Sequence, residues 1–133
     1  MNYYRRIGAV LIQDKKMLFV KCNEFPEYFS PGGKKEVGES DEETLTRELK
    51  EEVGLDLISA EFFKEYETAS PFTADTNDVS RIYLVNASGE EKVAMEIIGS
   101  VWVSKEDFEK EKYSFLEIYQ KYLIPDLINK ELL

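Results

Sequence analysis

The sequence predicts an α+β fold, in which helices pack on a mixed β-sheet. Three observations carry that reading. Short runs rich in β-branched and aromatic residues recur along most of the chain, beginning with Ile7 to Ile12 and Met17 to Lys21. One segment, Ser40 to Val53, has helical spacing with a start and a stop signal. A second helical stripe, Ser114 to Glu131, closes the chain. Its 133 residues suit one domain, residues 1–133, with a core of ordinary size. No repeat, low-complexity tract or linker divides them.

Taken in order, Ile7–Ile12 and Met17–Lys21 read as strands joined by the polar turn Gln13–Lys16, a hairpin. Asn23–Ser30 is an aromatic loop, and Pro31-Gly32-Gly33 a turn whose backbone can approach a ligand closely. Ser40 and Glu43 have capping-box spacing, and Asp41, Glu42 and Glu43 fill the first turn, where the helix dipole favours anions. Gly54 ends that helix. Leu55–Thr68 and Val79–Asn86 are strands separated by the polar loop Ser70–Asn77. A turn over Asn86–Lys92 and a short strand over Ser100–Val103 follow. Ser104 starts a short helix. The terminal helix would turn Phe115, Tyr119, Tyr122 and Leu123 to the core, or to a second copy of the chain, and Pro125 should kink or interrupt it.

The first helix carries the chemistry. At about 100° per residue, Leu45, Leu49 and Val53 share one stripe. Glu48, Glu51 and Glu52 form an adjoining stripe at the edge of the core. Carboxylates at this spacing repel by a few tenths of a kcal/mol per pair (roughly 0.2–0.5) on an exposed helix. A bound cation reverses that sign. Mg2+ takes hard oxygen ligands and bridges to phosphates, and Mn2+ prefers similar donors. Arg47 can orient a glutamate through a two-pronged contact. An arbitrary run of this kind is more often a solvated acidic face.

Composition narrows the choice. The chain has no histidine, which removes histidine-based triads, His-ligated zinc and histidine acid–base chemistry. One cysteine, Cys22, excludes an internal disulfide and reads as a small core residue. A net charge of −10 repels long nucleic acid but leaves room for a small phosphorylated substrate carried by a metal ion. No apolar run reaches the roughly 18–20 residues of a membrane span. Ile7–Ile12 is also too short for the apolar part of a signal peptide, so a cytoplasmic protein is expected.

Residues 33–55 resemble the Nudix box, GX5EX7REUXEEXGU, where U is apolar. Gly33, Glu39, Arg47-Glu48-Leu49, Glu51-Glu52 and Gly54-Leu55 occupy every specified position. The preceding hairpin and Pro31-Gly32, and the later Trp102-Val103 strand, are similar to the family's flanks. The resemblance implies an α/β/α sandwich around a central mixed sheet, with the box forming a loop–helix–loop. It implies hydrolysis of a pyrophosphate bond in a nucleoside diphosphate linked to another group, with Mg2+ or Mn2+. Glu48, Glu51 and Glu52 would then bind metal, with the Gly32 carbonyl as a further donor. Arg47 would orient the glutamates, supported by Glu39, Gly33 and Gly54. Glu48 or Glu96 would accept the proton of the attacking water, since Gly99 and Ser100 stand where the family often has another acidic residue.

The box leaves the substrate open. Tyr28, Phe29 and Phe72 could stack on a base, and Arg81 could contact a phosphate. Core or loop packing is the commoner role of such aromatics, and a surface ion pair is as natural for Arg81. A nucleoside triphosphate, modified or not, suits a short chain. Nucleotide sugars and dinucleoside polyphosphates compete with it. From another class, a nucleotide-binding module that kept the fold without activity is the alternative.

Overall fold

The computed structural model describes all residues, 1–133. The β-strands are β1 (Asn2–Val10), β2 (Ile12–Gln13), β3 (Lys16–Cys22), β4 (Gly32–Gly33), β5 (Asp56–Ala69), β6 (Thr76–Ser88) and β7 (Ile97–Ser104). The α-helices are α1 (Asp41–Val53), α2 (Lys105–Glu109) and α3 (Ile124–Asn129). A four-stranded sheet has the order β4-β1-β6-β5, with β1 and β6 parallel and the other pairs antiparallel. An antiparallel sheet of order β2-β3-β7 lies beside it.

Alternating side chains give these strands two buried faces. Ile7, Ala9, Leu11, Leu18 and Val20 pack with Leu45, Leu49 and Val53 of α1. Val10, Met17, Phe19, Ile82 and Val103 pack on the opposite side with Tyr119, Leu123 and Leu127. The result is a sheet layer between α1 and the C-terminal helix, the α+β sandwich that the sequence predicts.

Several details differ from the sequence reading. The expected first hairpin shrinks to β2 and the start of β3, across a two-residue turn with Asp14 and Lys15 both at positive φ. β1 itself leaves β3 and pairs with β6 and the short β4. Gly32-Gly33 is therefore a strand edge rather than a free turn. β6 starts at Thr76, inside the expected loop, and runs to Ser88. β7 begins at Ile97.

The terminal helix is shorter than its apolar stripe suggests. Phe115 lies in a bridge with Tyr28 ahead of it, and the helix starts with wide π-type turns over Ile118–Leu123. There the Ile124 N–H donates to the Tyr119 carbonyl, five residues back. Pro125 lacks an N–H and crowds the preceding carbonyls, so the widened turns just before it absorb the fault that a regular helix would show as a kink. Phe115, Tyr119 and Leu123 are buried, but Tyr122 is exposed, contrary to the expectation. No helix is long and apolar enough to cross a membrane.

α1 is fixed at both ends. Ser40 and Glu43 form the reciprocal capping box. Gly54 adopts φ 72°, and the Leu55 N–H reaches back to the Leu49 carbonyl at 3.3 Å. Leu49 is fully buried where α1 meets the sheet. Leu49→Ala should cost about 2–5 kcal/mol, read as a lower denaturation midpoint in urea.

Candidate functional site

The loop ahead of α1 is held by one guanidinium. Arg47 Nε donates to Glu39 Oε2 at 2.8 Å, and Nη2 to Glu39 Oε1 at 2.9 Å. Nη2 also reaches the Lys34 carbonyl at 3.1 Å, while Nη1 donates to Glu48 Oε1 at 2.7 Å. Glu51 Oε2 stands 3.6 Å from Nη1. Glu39 further accepts from the Glu36 N–H at 2.8 Å and the Thr44 hydroxyl at 3.0 Å. The Arg47 hydrogen bonds, aided by the Glu36 amide, hold the Glu39 carboxyl down at about 2. Forked, charge-assisted bonds of this kind fix geometry as well as charge.

Glu52 is only 3% exposed and accepts the Gly32 N–H at 2.8 Å. Burial pushes its carboxyl up to about 8; Arg6 and the Gly32 amide oppose this, while Glu48 and Glu96 add to it. Burial also raises Glu48, against the pull of Arg47. A β-carbon on Gly33 would lie 2.4 Å from Glu48 Oε1, so any larger residue must displace a carboxylate that Arg47 holds.

As the side chains stand, no three acidic groups converge on one point. Glu48 and Glu51 turn toward Arg47, and Glu52 toward the Gly32 amide. The donor set still fits a hard divalent cation: it is all carboxylate oxygen, and the Glu52 charge is buried with no ion-pair partner.

A cavity of about 650 Å3 opens beside these groups. Gly32, Gly33, Glu48, Glu52 and Glu96 line one part of it, and Phe25, Phe29 and Phe72 another. Phe25 packs on Phe29 and Phe72, with ring centroids 5.5 and 5.1 Å away. Tyr4, Arg6, Thr76, Asp78 and Ser80 also line the cavity. Tyr4 is in register with Asp78, and Arg6 with Ser80. Glu96 arrives on a segment stitched to the end of α1: Lys92 N–H donates to the Val53 carbonyl at 2.8 Å, and Ala94 N–H to the Glu52 carbonyl at 3.1 Å. Glu91, on the same segment, accepts from Trp102 Nε1 at 2.8 Å and from the Ser100 hydroxyl.

Of the residues singled out in the sequence, Gly32, Gly33, Glu48, Glu52, Glu96, Phe29 and Phe72 meet at this cavity. Two do not. Tyr28 packs on Tyr113 at 5.4 Å and on Phe115, outside the cavity, because the bridge to Phe115 draws it to the terminal segment. Arg81 lies on another face, with Nε bonded to Asp41 at 2.9 Å and Nη1 to Glu65 at 3.3 Å. Glu51 stays outside the lining, and Gly54 caps the helix.

Sequence reasoning missed Arg6. Arg6 donates to the Ser30 carbonyl at 2.5 Å and to the Tyr119 hydroxyl at 3.1 Å, with its guanidinium 5.7 Å from the Phe29 ring. Burial raises the Asp78 carboxyl, with Arg6 opposing. Strand alternation separates Arg6 from Arg5, but only the pairing of β1 says which face holds the cavity.

A family model described as NUDIX domain matches residues 2–126. The 8-oxo-dGTP diphosphatase of Haemophilus influenzae is 36% identical over 76 residues, 56% of this chain and 53% of that protein. The match therefore spans about half the length of that curated relative. Among solved structures, the MutT protein from Methanosarcina mazei Go1 has a TM-score of 0.79 at 20% identity, covering 97% of this chain and 96% of that one. A NUDIX hydrolase from Nitrosomonas europaea gives 0.79 at 20% identity, covering 95% and 88%. These two likenesses are of fold.

Glu52 makes a signed pH prediction for the metal-free protein. Its carboxyl rises from 4.5 to about 8 on folding, so between those values the folded state binds more proton than the unfolded one. Stability then falls as pH rises through that window. Melting curves in chelator should show this decline, and Glu52→Gln should flatten it.

Proposed function

This chain belongs to the NUDIX domain family, and on that premise we propose that it hydrolyses a pyrophosphate bond in a nucleoside triphosphate, ordinary or modified. The observation that carries the reading is the placement of Glu48 and Glu52 on the wall of a 650 Å3 cavity whose other walls are aromatic and polar. That volume lies within the range of small-molecule sites, about 300–1,000 Å3. The aromatic group formed by Phe25, Phe29 and Phe72 suits a flat base. The 8-oxo-dGTP named for the Haemophilus influenzae relative is the first compound to try.

In this reading Glu48, Glu51 and Glu52 hold Mg2+, or Mn2+, with the Gly32 carbonyl as a further donor. The metal supplies charge neutralisation on the phosphates and a lowered pKa for water. Arg47 keeps Glu48 and Glu51 aimed, and Glu39 keeps Arg47 in place. Gly33 leaves room for the Glu48 carboxylate, and Gly54 fixes where α1 ends. Glu96 is the better-placed proton acceptor. It lines the cavity without an ion pair, whereas Arg47 already holds Glu48.

The test is turnover with Mg2+ on a panel of modified and ordinary nucleoside triphosphates, nucleotide sugars and dinucleoside polyphosphates, resolved by product. Glu52→Gln should lower kcat at least about a hundred-fold while the variant stays folded and melts cooperatively. Undiminished turnover in that variant would remove the metal assignment. Tight nucleotide binding with no turnover of any compound by the unaltered chain would point instead to a binding module.

A further inference from the structure

Arg5 and Arg6 are neighbours in sequence, but their side chains lie on opposite faces of β1. Arg6 faces the cavity with Tyr119 and Phe29. Arg5 shares the other face with Ile7, which packs in the α1 core. On that face Arg5 is in register with Val79, and Ile7 with Arg81. A separate pocket of about 280 Å3 opens there. Arg5, Arg6, Lys34, Lys35 and Arg81 line it above apolar Ile7 and Val79, and no carboxylate is among its lining residues.

Acidic residues outnumber basic ones 27 to 17 in this chain, so five cations around one small pocket run against its composition. Neighbouring carboxylates neutralise only part of the group. Asp41 takes Lys35 at 3.1 Å and Arg81 at 2.9 Å, and Glu65 takes Arg81 at 3.3 Å. Arg5 rests over the Tyr3 ring, 5.7 Å from its centroid. Arg6 has neutral partners in Ser30 and Tyr119. Neither arginine, nor Lys34, has a carboxylate in ion-pair range. Arg6 faces the carboxyls of Glu52 and Asp78 across the large cavity, so Arg5 and Lys34 are the uncompensated charges here. Like charges around one concavity repel each other, and an anion relieves that repulsion.

We propose that this pocket is an anion subsite for a phosphate group other than the pair joined by the bond that is cleaved. It shares Arg6 and Lys34 with the large cavity, so the two open beside one another. A polyphosphate tail can pass from one to the other, and a free phosphate or pyrophosphate can occupy the pocket alone. The pocket stands on its own charges; only the tail as its source rests on the hydrolase reading.

Calorimetric titration of the metal-free protein with inorganic tripolyphosphate tests the site. The unaltered chain should bind, more weakly as KCl is raised. The exposed pair of substitutions Arg5→Ala and Lys35→Ala should weaken binding at least about ten-fold, since bonds to charged groups are worth about that factor or more. A melting curve checks that the double variant folds. Absence of binding, or equal binding by the variant, overturns the proposal. A rise in KM for a nucleoside triphosphate, but not for the matching diphosphate, assigns the site to the substrate's tail. Weakened tripolyphosphate binding with both KM values unmoved assigns it to a free anion. Glu52→Gln should keep the tripolyphosphate affinity whatever happens to turnover, which separates failure of this site from failure of the hydrolase reading.

Discussion

One guanidinium ties the loop ahead of α1 to the carboxylates of that helix. Arg47 grips Glu39 with two nitrogens, takes the Lys34 carbonyl with one of them, and holds Glu48 with the third. Its rigid fork of donors is what allows a single side chain to fix a loop and a helix at once. Lysine has three donors, but on one nitrogen at the end of a flexible stem, and cannot span these partners with a fixed fork. Glu39 earns its low carboxyl pKa from the same contact. The course of the chain from Lys34 to Ser40, and with it the position of the glycine edge, follows from this node.

Packing and chemistry compete along α1. Leu45, Leu49 and Val53 anchor the helix, and the stripe beside them carries Glu48 and Glu52 into a region poor in water. Each carboxylate is thereby raised by burial and held by little more than one hydrogen bond. A helix selected for stability alone would place apolar or paired residues there. A strongly shifted carboxylate at a cavity wall, as Glu52 is here, marks a candidate site for a ligand.

The sheet does more than separate two layers of core. Its alternation sends the Arg6 side chain to one side and Arg5 to the other, so Arg5 belongs to the small concavity alone while Arg6 borders both. The short β4 strand, paired with Ile7 and Gly8 of β1, lines the larger of the two. The segment before β7 brings Glu96 to the same cavity, held by the end of α1 through Lys92 and Ala94 and by the Glu91 contact to Trp102.

The sequence by itself determined α1 and its register. The capping box, the closing glycine and the two stripes are all local signals, governed by contacts within a few residues. Through its resemblance to the Nudix box it also marked Gly33, Glu39, Arg47, Glu48, Glu51 and Glu52 as one constellation. Tertiary structure alone decided how the strands pair, which sent β1 to β6 instead of into a full hairpin with β3. It decided that Tyr28 and Arg81 leave the cavity, that Tyr122 faces solvent, and that Arg6 and Asp78 enter it. Strand partners lie tens of residues apart, and the face a strand buries is set by those partners. A one-residue shift of register would turn Arg6, Asp78 and Arg81 to the opposite faces of their strands.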